Sequence, residues 1–212
     1  MTNSVLKAIR DRRSSSGFKS TQVDEKKLNA VLEAGRWAPS WANTQPWRFI
    51  TITDERTKER MSEAVSTFYK IVIKDAPICI AVCVNPKKDP FHFIEDGTTA
   101  TQNMALAAHS LGLGTSWIGV FSLRDEKNSS EKKLKKILDV PKEWRLISIL
   151  PIGVPKFKET KTRKELYTIL SVNHFAIEEE RESELESRKS LSVEKEKAHE
   201  PESARELERA LV

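Results

Sequence analysis

The sequence has only two cysteines among its 212 residues, Cys79 and Cys83. Both lie in the short apolar run ICIAVCV. Residues four apart in a strand share a face but sit roughly 13 Å apart, which is too far for a disulfide. No histidine stands near them to complete a metal-binding cluster. We therefore expect two packed thiols, with neither a disulfide framework nor a metal site.

Long apolar segments are also missing. The longest run, around residues 78–84, is far too short to cross a bilayer. The first residues, MTNSVLKAIRDRR, contain no apolar signal core followed by a cleavage site. With 38% hydrophobic and 32% charged residues, the composition is typical of a globular protein with a charged surface. These features predict a cytoplasmic protein that has no membrane partner.

The common phosphate-binding glycine loops are absent. The chain has seven glycines and no Walker-type loop. The glycines of GLGTSWIG follow a helix-like segment, whereas the dinucleotide fingerprint needs a strand before it and a helix after it. They fit a helix C-cap and a turn better. In addition, Gly119 can let the backbone approach a flat ligand closely.

Charge is unevenly distributed along the chain. The formal net charge is +5, but residues 176–212 carry 12 acidic and 7 basic side chains, which leaves +10 on residues 1–175. Such a basic body fits a nucleic acid or a nucleotide cofactor, or serves only solubility. Its basic residues are scattered and no nucleic-acid recognition motif is present. A nucleic-acid partner is thus the weaker hypothesis, and none is expected.

Hydrophobic periodicity predicts several helices and a few irregularly spaced strands. The predicted helices cover about residues 3–13, 24–37, 55–73, 94–111 and 129–140, and the extended segments cover 47–53, 76–84, 115–121 and 145–155. This mixture favours an α+β fold over a doubly wound sheet. Because the composition changes abruptly to charged residues, we predict one domain over residues 1–176 and a helical or disordered tail over 177–212.

Two basic motifs are candidates for binding a phosphate. Arg12, Arg13 and Ser14 follow the first helix, where guanidinium and hydroxyl groups can grip a phosphate through charge-assisted hydrogen bonds. Lys161 and Arg163 flank one residue in an extended loop, and two cations so placed can converge on one phosphate. Taken alone, each motif is also a common solvated basic patch.

A third motif, PSWANTQPW at residues 39–47, is unusual in composition. Ser40 and Asn43 offer short polar groups suited to the edge of a heterocycle, and the two prolines would stiffen the loop. The alternative is a turn that plugs the core with Trp47.

Taken in order, RRS, PSxxNxQPW, an Ala-rich helix followed by GLGTSWIG, then PIGVP and KTR resemble the nitroreductase family of flavoproteins. The resemblance covers about residues 5–172, and PSxxNxQPW is its most specific element. It implies a nitroreductase-like α+β fold with a central, mainly antiparallel sheet flanked by helices. It also implies an intertwined homodimer with flavin sites at the subunit interface.

The resemblance further assigns residues to FMN. The phosphate and ribityl chain would be held by the two basic motifs, that is by Arg12, Arg13, Ser14, Lys161 and Arg163. Ser16 is also assigned to cofactor binding, although many relatives carry a cation at this position, and this departure would weaken or rearrange phosphate binding. The partner subunit would contribute the loop residues Pro39, Ser40, Asn43 and Gln45.

Along the isoalloxazine, the resemblance places Ile118 and Gly119, where a backbone N–H can reach the redox-active N5. Lys161 or a backbone N–H near the N1–O2 edge would stabilise the reduced flavin. No catalytic triad is expected, because the cofactor carries the hydride. NAD(P)H would reduce FMN, then leave, and a nitroaromatic, quinone or flavin-type acceptor would take its place. Other chemistry on the same fold, either dehalogenation or flavin fragmentation, remains the alternative.

Overall fold

The computed structural model describes residues 3–123 and 128–175. These fall into two compact units, and the boundary between the units in the sequence lies between Thr160 and Lys161. The second unit includes the short 3-10 helix Leu166–Ile169. The predicted tail, 177–212, lies outside the described residues, and the domain boundary at residue 176 stays a prediction. Among the described residues, no helix combines the length and apolar character that crossing a membrane requires.

The first unit contains helices on both faces of a small sheet. In chain order its elements are α1 (Ser4–Asp11), α2 (Glu25–Arg36), β1 (Trp47–Ile52), α3 (Glu55–Glu63), α4 (Thr67–Asp75), β2 (Ile78–Val84), α5 (Phe93–Ser110), β3 (Gly114–Thr115), β4 (Ile118–Gly119), α6 (Ser130–Ile137) and β5 (Arg145–Gly153). This arrangement confirms the predicted α+β class.

The sheet has the order β1-β2-β5-β3, and β4 also pairs with β5. All pairings between these strands are antiparallel, as predicted, with Ile78 opposite Ile152 and Ile118 opposite Ile149. Both central strands, β2 and β5, are buried along almost their whole length. They can be apolar throughout because each face of the sheet is covered by helices.

Alternate residues of β2 enter two separate cores. Cys79, Ala81 and Cys83 pack with side chains from α3, α4 and α6, whereas the intervening residues pack with α2 and α5. Both thiols are free and buried, and burial raises the pKa of each to about 12. The prediction of two packed thiols is confirmed.

Helix α5 lies close to its neighbours because it is rich in small residues. A Cβ added at Gly97 would stand 2.6 Å from a side-chain atom of Ile147 in β5. The hydroxyls of Thr101 and Ser148 are 2.8 Å apart in the same buried contact. The helix ends before Gly112, whose φ of +77° favours glycine and confirms the predicted C-cap.

One predicted helix is in fact two. The segment predicted as continuous over residues 55–73 breaks between Glu63 and Thr67, where Ser66 has extended backbone angles. Periodicity alone missed the break, since no proline or glycine marks it. The break turns the chain so that Ala64 and Val65 are buried in the same core as α3 and α4. Elsewhere the predicted cap is confirmed, because Asp24 accepts a hydrogen bond from the Lys27 N–H.

Candidate functional site

The first basic motif lies where α1 meets the edge of the sheet. Helix α1 ends at Asp11, and Arg13 donates hydrogen bonds from Nη1 to the carbonyls of Arg10 and Arg12. Ser14 forms a parallel bridge to Thr115 of β3. Arg13 thus helps to close the C-terminal turn of α1, while Ser14 is exposed beside the short strands.

The surroundings of this motif are positively charged. Burial lowers the pKa of His109, Asp11 raises it, and the charges of Arg12, Lys7 and Arg13 lower it again. Positive charge at this place favours an anionic group such as a phosphate.

Ser16 has a partner in the first unit. Its hydroxyl donates to Oε1 of Glu159 at 2.6 Å. The sequence-based assignment of Ser16 to cofactor binding is neither supported nor contradicted by this contact. The contact brings the Glu159 carboxylate close to Ser16, where many relatives have a cation.

Gly119 in β4 is the exposed member of an otherwise buried segment. Its neighbours Ile118 and Val120 are only 1% and 5% exposed. Apart from its two chain neighbours, no described residue would have an atom within 4 Å of a Cβ added at Gly119, and its φ is not positive. Neither packing among the described residues nor backbone conformation therefore requires glycine here. The open space in front of its backbone suits a flat ligand.

The chain after Gly119 is held by an ion pair between the buried Glu131 and the partly exposed Arg145, which the sequence did not reveal. Arg145 donates from Nε to Oε1 of Glu131 at 2.6 Å and from Nη2 to the Ser122 carbonyl at 2.8 Å. Glu131 in turn accepts from the Ser122 and Leu146 N–H groups. Burial raises the pKa of Glu131, but the hydrogen bonds from Arg145 and these N–H groups outweigh it, so the pKa is lowered.

The loop 39–47 brings its predicted site residues together. Ser40 Oγ accepts from the Gln45 N–H at 3.0 Å, and Gln45 Nε2 donates to Oδ1 of Asn43 at 3.2 Å. Ala42, Asn43 and Gln45 have φ values of 45°, 56° and 47°. Left-handed backbone costs an L-residue about 1–2 kcal/mol, so the loop needs support from outside itself.

That support comes from α5. The Trp41 N–H donates to Oδ1 of Asp96, and Thr99 Oγ1 donates to the Pro39 carbonyl, both at 3.0 Å. The Trp41 indole also stacks on the His92 ring, with centroids 5.5 Å apart. No local sequence pattern points to these supporting residues, because each stands more than 50 positions from the loop residue that it contacts.

The second basic motif belongs to the second unit. Lys161 and Arg163 are exposed, and Arg163 donates from Nη1 to the Thr162 carbonyl at 2.9 Å. Their convergence with Arg12 on one phosphate stays a prediction.

Two cavities of the described protomer differ in their relation to the predicted site. One, of about 680 Å³, is lined by residues that include Phe18, Lys58, Asp75 and Lys156, and by none of the predicted site residues. A smaller cavity of about 340 Å³ lies beside Pro39 and Trp117. A site that is completed by a second subunit is not expected to be enclosed within one protomer.

Comparison with known proteins now identifies the family. The sequence profile of the nitroreductase family matches residues 9–72 and 65–154. A protein of Methanothermobacter thermautotrophicus, provisionally described as an NADH dehydrogenase/NAD(P)H nitroreductase, is 34% identical over 153 residues, which cover 71% of this chain and 77% of that protein.

Two further relatives differ in what they are named for. A provisionally assigned nitroreductase of Desulfovibrio desulfuricans, solved in complex with FMN, has a TM-score of 0.71 and 27% identity, over 83% of this chain and all of that one. A 5,6-dimethylbenzimidazole synthase of Rhodospirillum rubrum is 25% identical over 174 residues, with 68% of this chain and 79% of that protein covered. By the family match and the 34% identity, the chain belongs to the nitroreductase family.

Proposed function

We propose that the chain is an FMN-dependent oxidoreductase that uses NAD(P)H to reduce nitroaromatic, quinone or flavin-type acceptors. It works as a homodimer in the cytoplasm, with its flavin sites between the subunits and with no nucleic-acid or membrane partner. The relative solved with FMN supports this choice of cofactor. Under the proposal, bound FMN supplies the two-electron chemistry.

Gly119 is the observation that carries the proposal. Among the described residues, none but its two chain neighbours has an atom within 4 Å of a Cβ added at Gly119, although Ile118 and Val120 are buried. A planar ring can lie against backbone only where no side chain projects. The isoalloxazine is a ring system of this kind, so the residues present fit the cofactor.

In this proposal, the two basic motifs bind the phosphate of FMN. Arg12 and Ser14 lie at the end of α1, in a region whose positive charge contributes to the lowered pKa of His109. Lys161 and Arg163 would add cations from the second unit. Arg13 would add its positive charge while its hydrogen bonds close the C-terminal turn of α1. Ser16, which donates to Glu159, would contribute only a hydroxyl near the ribityl chain.

The other wall of the site is assigned to the partner subunit, through Pro39, Ser40, Asn43 and Gln45. Because the Gln45 N–H occupies a lone pair of Ser40 Oγ, the Ser40 hydroxyl hydrogen can still donate to a ring heteroatom. The amides of Asn43 and Gln45, already in contact, would present a fixed polar edge.

Dimerisation is supported by the surface of α1. This helix has no buried residue, and its apolar side chains Val5, Leu6 and Ile9 are 62%, 65% and 52% exposed. Three large apolar groups on one face of a helix are stabilised by burial against another surface. A second copy of the chain supplies that surface in the proposed dimer.

In the reaction, the protein groups position and stabilise rather than transfer protons. Ile118 and the partner loop would exclude water from the two sides of the site, and backbone N–H groups would stabilise negative charge as it develops. NAD(P)H would donate and leave before the acceptor binds in the same space, which is a ping-pong order.

Purification provides the first test. The protein should be yellow, release flavin on denaturation, and oxidise NADH or NADPH when an acceptor is present. Protein that is colourless and fails to bind added FMN would exclude the proposal.

A flavin-binding protein with other chemistry, such as flavin fragmentation, is the second candidate, and the synthase relative supports it. Anaerobic stopped-flow mixing separates the two. Rapid bleaching of the flavin band by NADH or NADPH, followed by reoxidation with a quinone or nitroaromatic, supports the reductase. A flavin band that persists favours the second candidate.

A further inference from the structure

A pair of buried carboxyl groups lies beneath the loop 39–47. Asp89, which precedes α5, is 0% exposed, and Asp96, in the first turn of α5, is 3% exposed. Asp89 Oδ1 accepts from the Phe91 and His92 N–H groups, both at 3.0 Å. Asp96 Oδ1 accepts from the Trp41 N–H at 3.0 Å. Each residue thus holds a different segment of backbone with one oxygen.

The second oxygens of these carboxyl groups are both buried. No described residue forms a hydrogen bond with Oδ2 of Asp89 or Oδ2 of Asp96, and the neighbouring Asp89 raises the pKa of Asp96. Two carboxylate oxygens can share a hydrogen bond only if one of them is protonated. The described residues contain no group of three or more acidic, His or Cys side chains arranged to hold a metal ion instead.

The pKa values of the two carboxyl groups shift in opposite directions. Burial raises the pKa of Asp96 against the effect of the Trp41 N–H, and the neighbouring Asp89 raises it further. Burial also raises the pKa of Asp89, but the two N–H groups that it accepts, and the contact with Asp96, lower it overall. Asp96 is therefore the more readily protonated of the two carboxyl groups, and it accepts from the Trp41 N–H.

We propose that Asp96 is a positioning residue, which holds the loop 39–47 in the left-handed conformation that presents Ser40, Asn43 and Gln45. The contact is well placed for this role, because Trp41 immediately precedes Ala42 and Asn43, both at positive φ. Thr99 holds the Pro39 carbonyl from the next turn of α5, and the His92 ring supports the Trp41 indole. That the loop binds flavin rests on the proposed function. The contacts by which Asp96 holds the loop do not depend on it.

Near-isosteric variants make the proposal testable. Asparagine at position 96 retains an acceptor for the Trp41 N–H, and its amide group has donors for the neighbouring Asp89. Alanine or leucine at the same position can do neither. Leucine also avoids the cavity that alanine leaves, so that one acceptor-free variant folds even if the other does not.

Hydrogen exchange of the apo protein tests the geometry without flavin. In Asp96→Ala and Asp96→Leu, amides of residues 41–45 should exchange at least tenfold faster than in the wild type, while those of β2 and β5 do not change. In Asp96→Asn they should stay within about twofold of the wild type. Asp54→Ala removes another carboxylate that caps a backbone N–H, at Thr57 of α3, and should leave the loop amides unchanged.

Flavin affinity provides the second readout. FMN should bind about tenfold more weakly to the alanine and leucine variants and normally to Asp96→Asn, which corresponds to about 1.4 kcal/mol. If asparagine behaves like alanine, or if exchange is unchanged in all three variants, the role of Asp96 is refuted. If the wild type does not bind FMN but its loop amides respond as expected, the proposed function fails while the positioning role stands.

Discussion

Substitution of Gly119 by valine tests the proposed ring site with little effect on the protein itself. Apart from the two chain neighbours, no described residue has an atom within 4 Å of a Cβ at this position. Valine is also favoured in strands. The free energy of unfolding should therefore change by less than about 0.5 kcal/mol. A flavin ring, in contrast, would have to pack at about 3.5–4 Å from the backbone, in the volume that the valine methyl groups occupy.

We expect FMN to bind Gly119→Val at least about a hundredfold more weakly, which corresponds to about 2.8 kcal/mol. Fluorescence quenching of FMN measures the affinity, and urea denaturation of the apo protein measures stability. Sedimentation must show the same oligomeric state as the wild type, because a partner subunit that filled this space would also be displaced.

Gly112→Ala is the matched control, because it should have the opposite effects. Gly112 also has no neighbouring atom within 4 Å, but its φ of +77° strains alanine. The expected cost is about 1–2 kcal/mol of stability, with FMN affinity within about twofold of the wild type. Wild-type FMN affinity in Gly119→Val would refute the ring site.

Three further predictions concern charge and burial. Arg12→Ala should weaken FMN binding about tenfold but leave riboflavin, which has no phosphate, unaffected, as measured by fluorescence titration; equal losses for both ligands would contradict a phosphate role. Glu131→Gln should destabilise the fold by about 2–3 kcal/mol at pH 7, because it breaks a pair in which Glu131 is buried and Arg145 is partly exposed. The pKa of Glu131 is lowered in the folded state, so its contribution to the free energy of unfolding is present above the unfolded-state pKa and is lost as the pH falls through the folded-state pKa. Urea denaturation at pH 7 and in acid should therefore show that the difference in stability between Glu131→Gln and the wild type shrinks in acid. Cys79 and Cys83, each with a pKa raised to about 12, should react with a thiol reagent at pH 8 more than about a hundredfold more slowly in the folded protein than in urea, and equal rates would contradict their burial.

Much of the fold could be predicted from the sequence, because its signals are local. The apolar run of β2, the Asp24 cap and the glycine at the end of α5 each act within a few residues, and all three predictions are confirmed. The break between α3 and α4 was missed because no proline or glycine marks it, and the burial of Ala64 and Val65 beside it is visible only in the fold.

For the candidate site, the sequence identified the loop but not its support. The spacing of Ser40, Asn43 and Gln45 singled out the segment, and the structure brings these side chains together. Positive φ at Ala42 and Gln45 is contrary to the preferences of these residue types. It depends on Asp96 and Thr99, which no local pattern connects with the loop.

The pair of Glu131 and Arg145 was missed for a similar reason. Both stand in segments rich in charged residues, and nothing in their spacing distinguishes them from solvent-exposed neighbours. Only the fold shows that both hold the segment following Gly119.

Mixed dimers test the central claim, that each flavin site combines Gly119 of one subunit with the loop 39–47 of its partner. One subunit carries Gly119→Val and the other carries Ser40→Ala with Asn43→Ala, and two affinity tags select dimers that contain both. Each parent homodimer should bind FMN poorly. The mixed dimer should recover one site of wild-type affinity per dimer, since only one of its sites then combines two intact walls. A mixed dimer that binds FMN as poorly as its parents would place both walls in a single subunit and contradict the account.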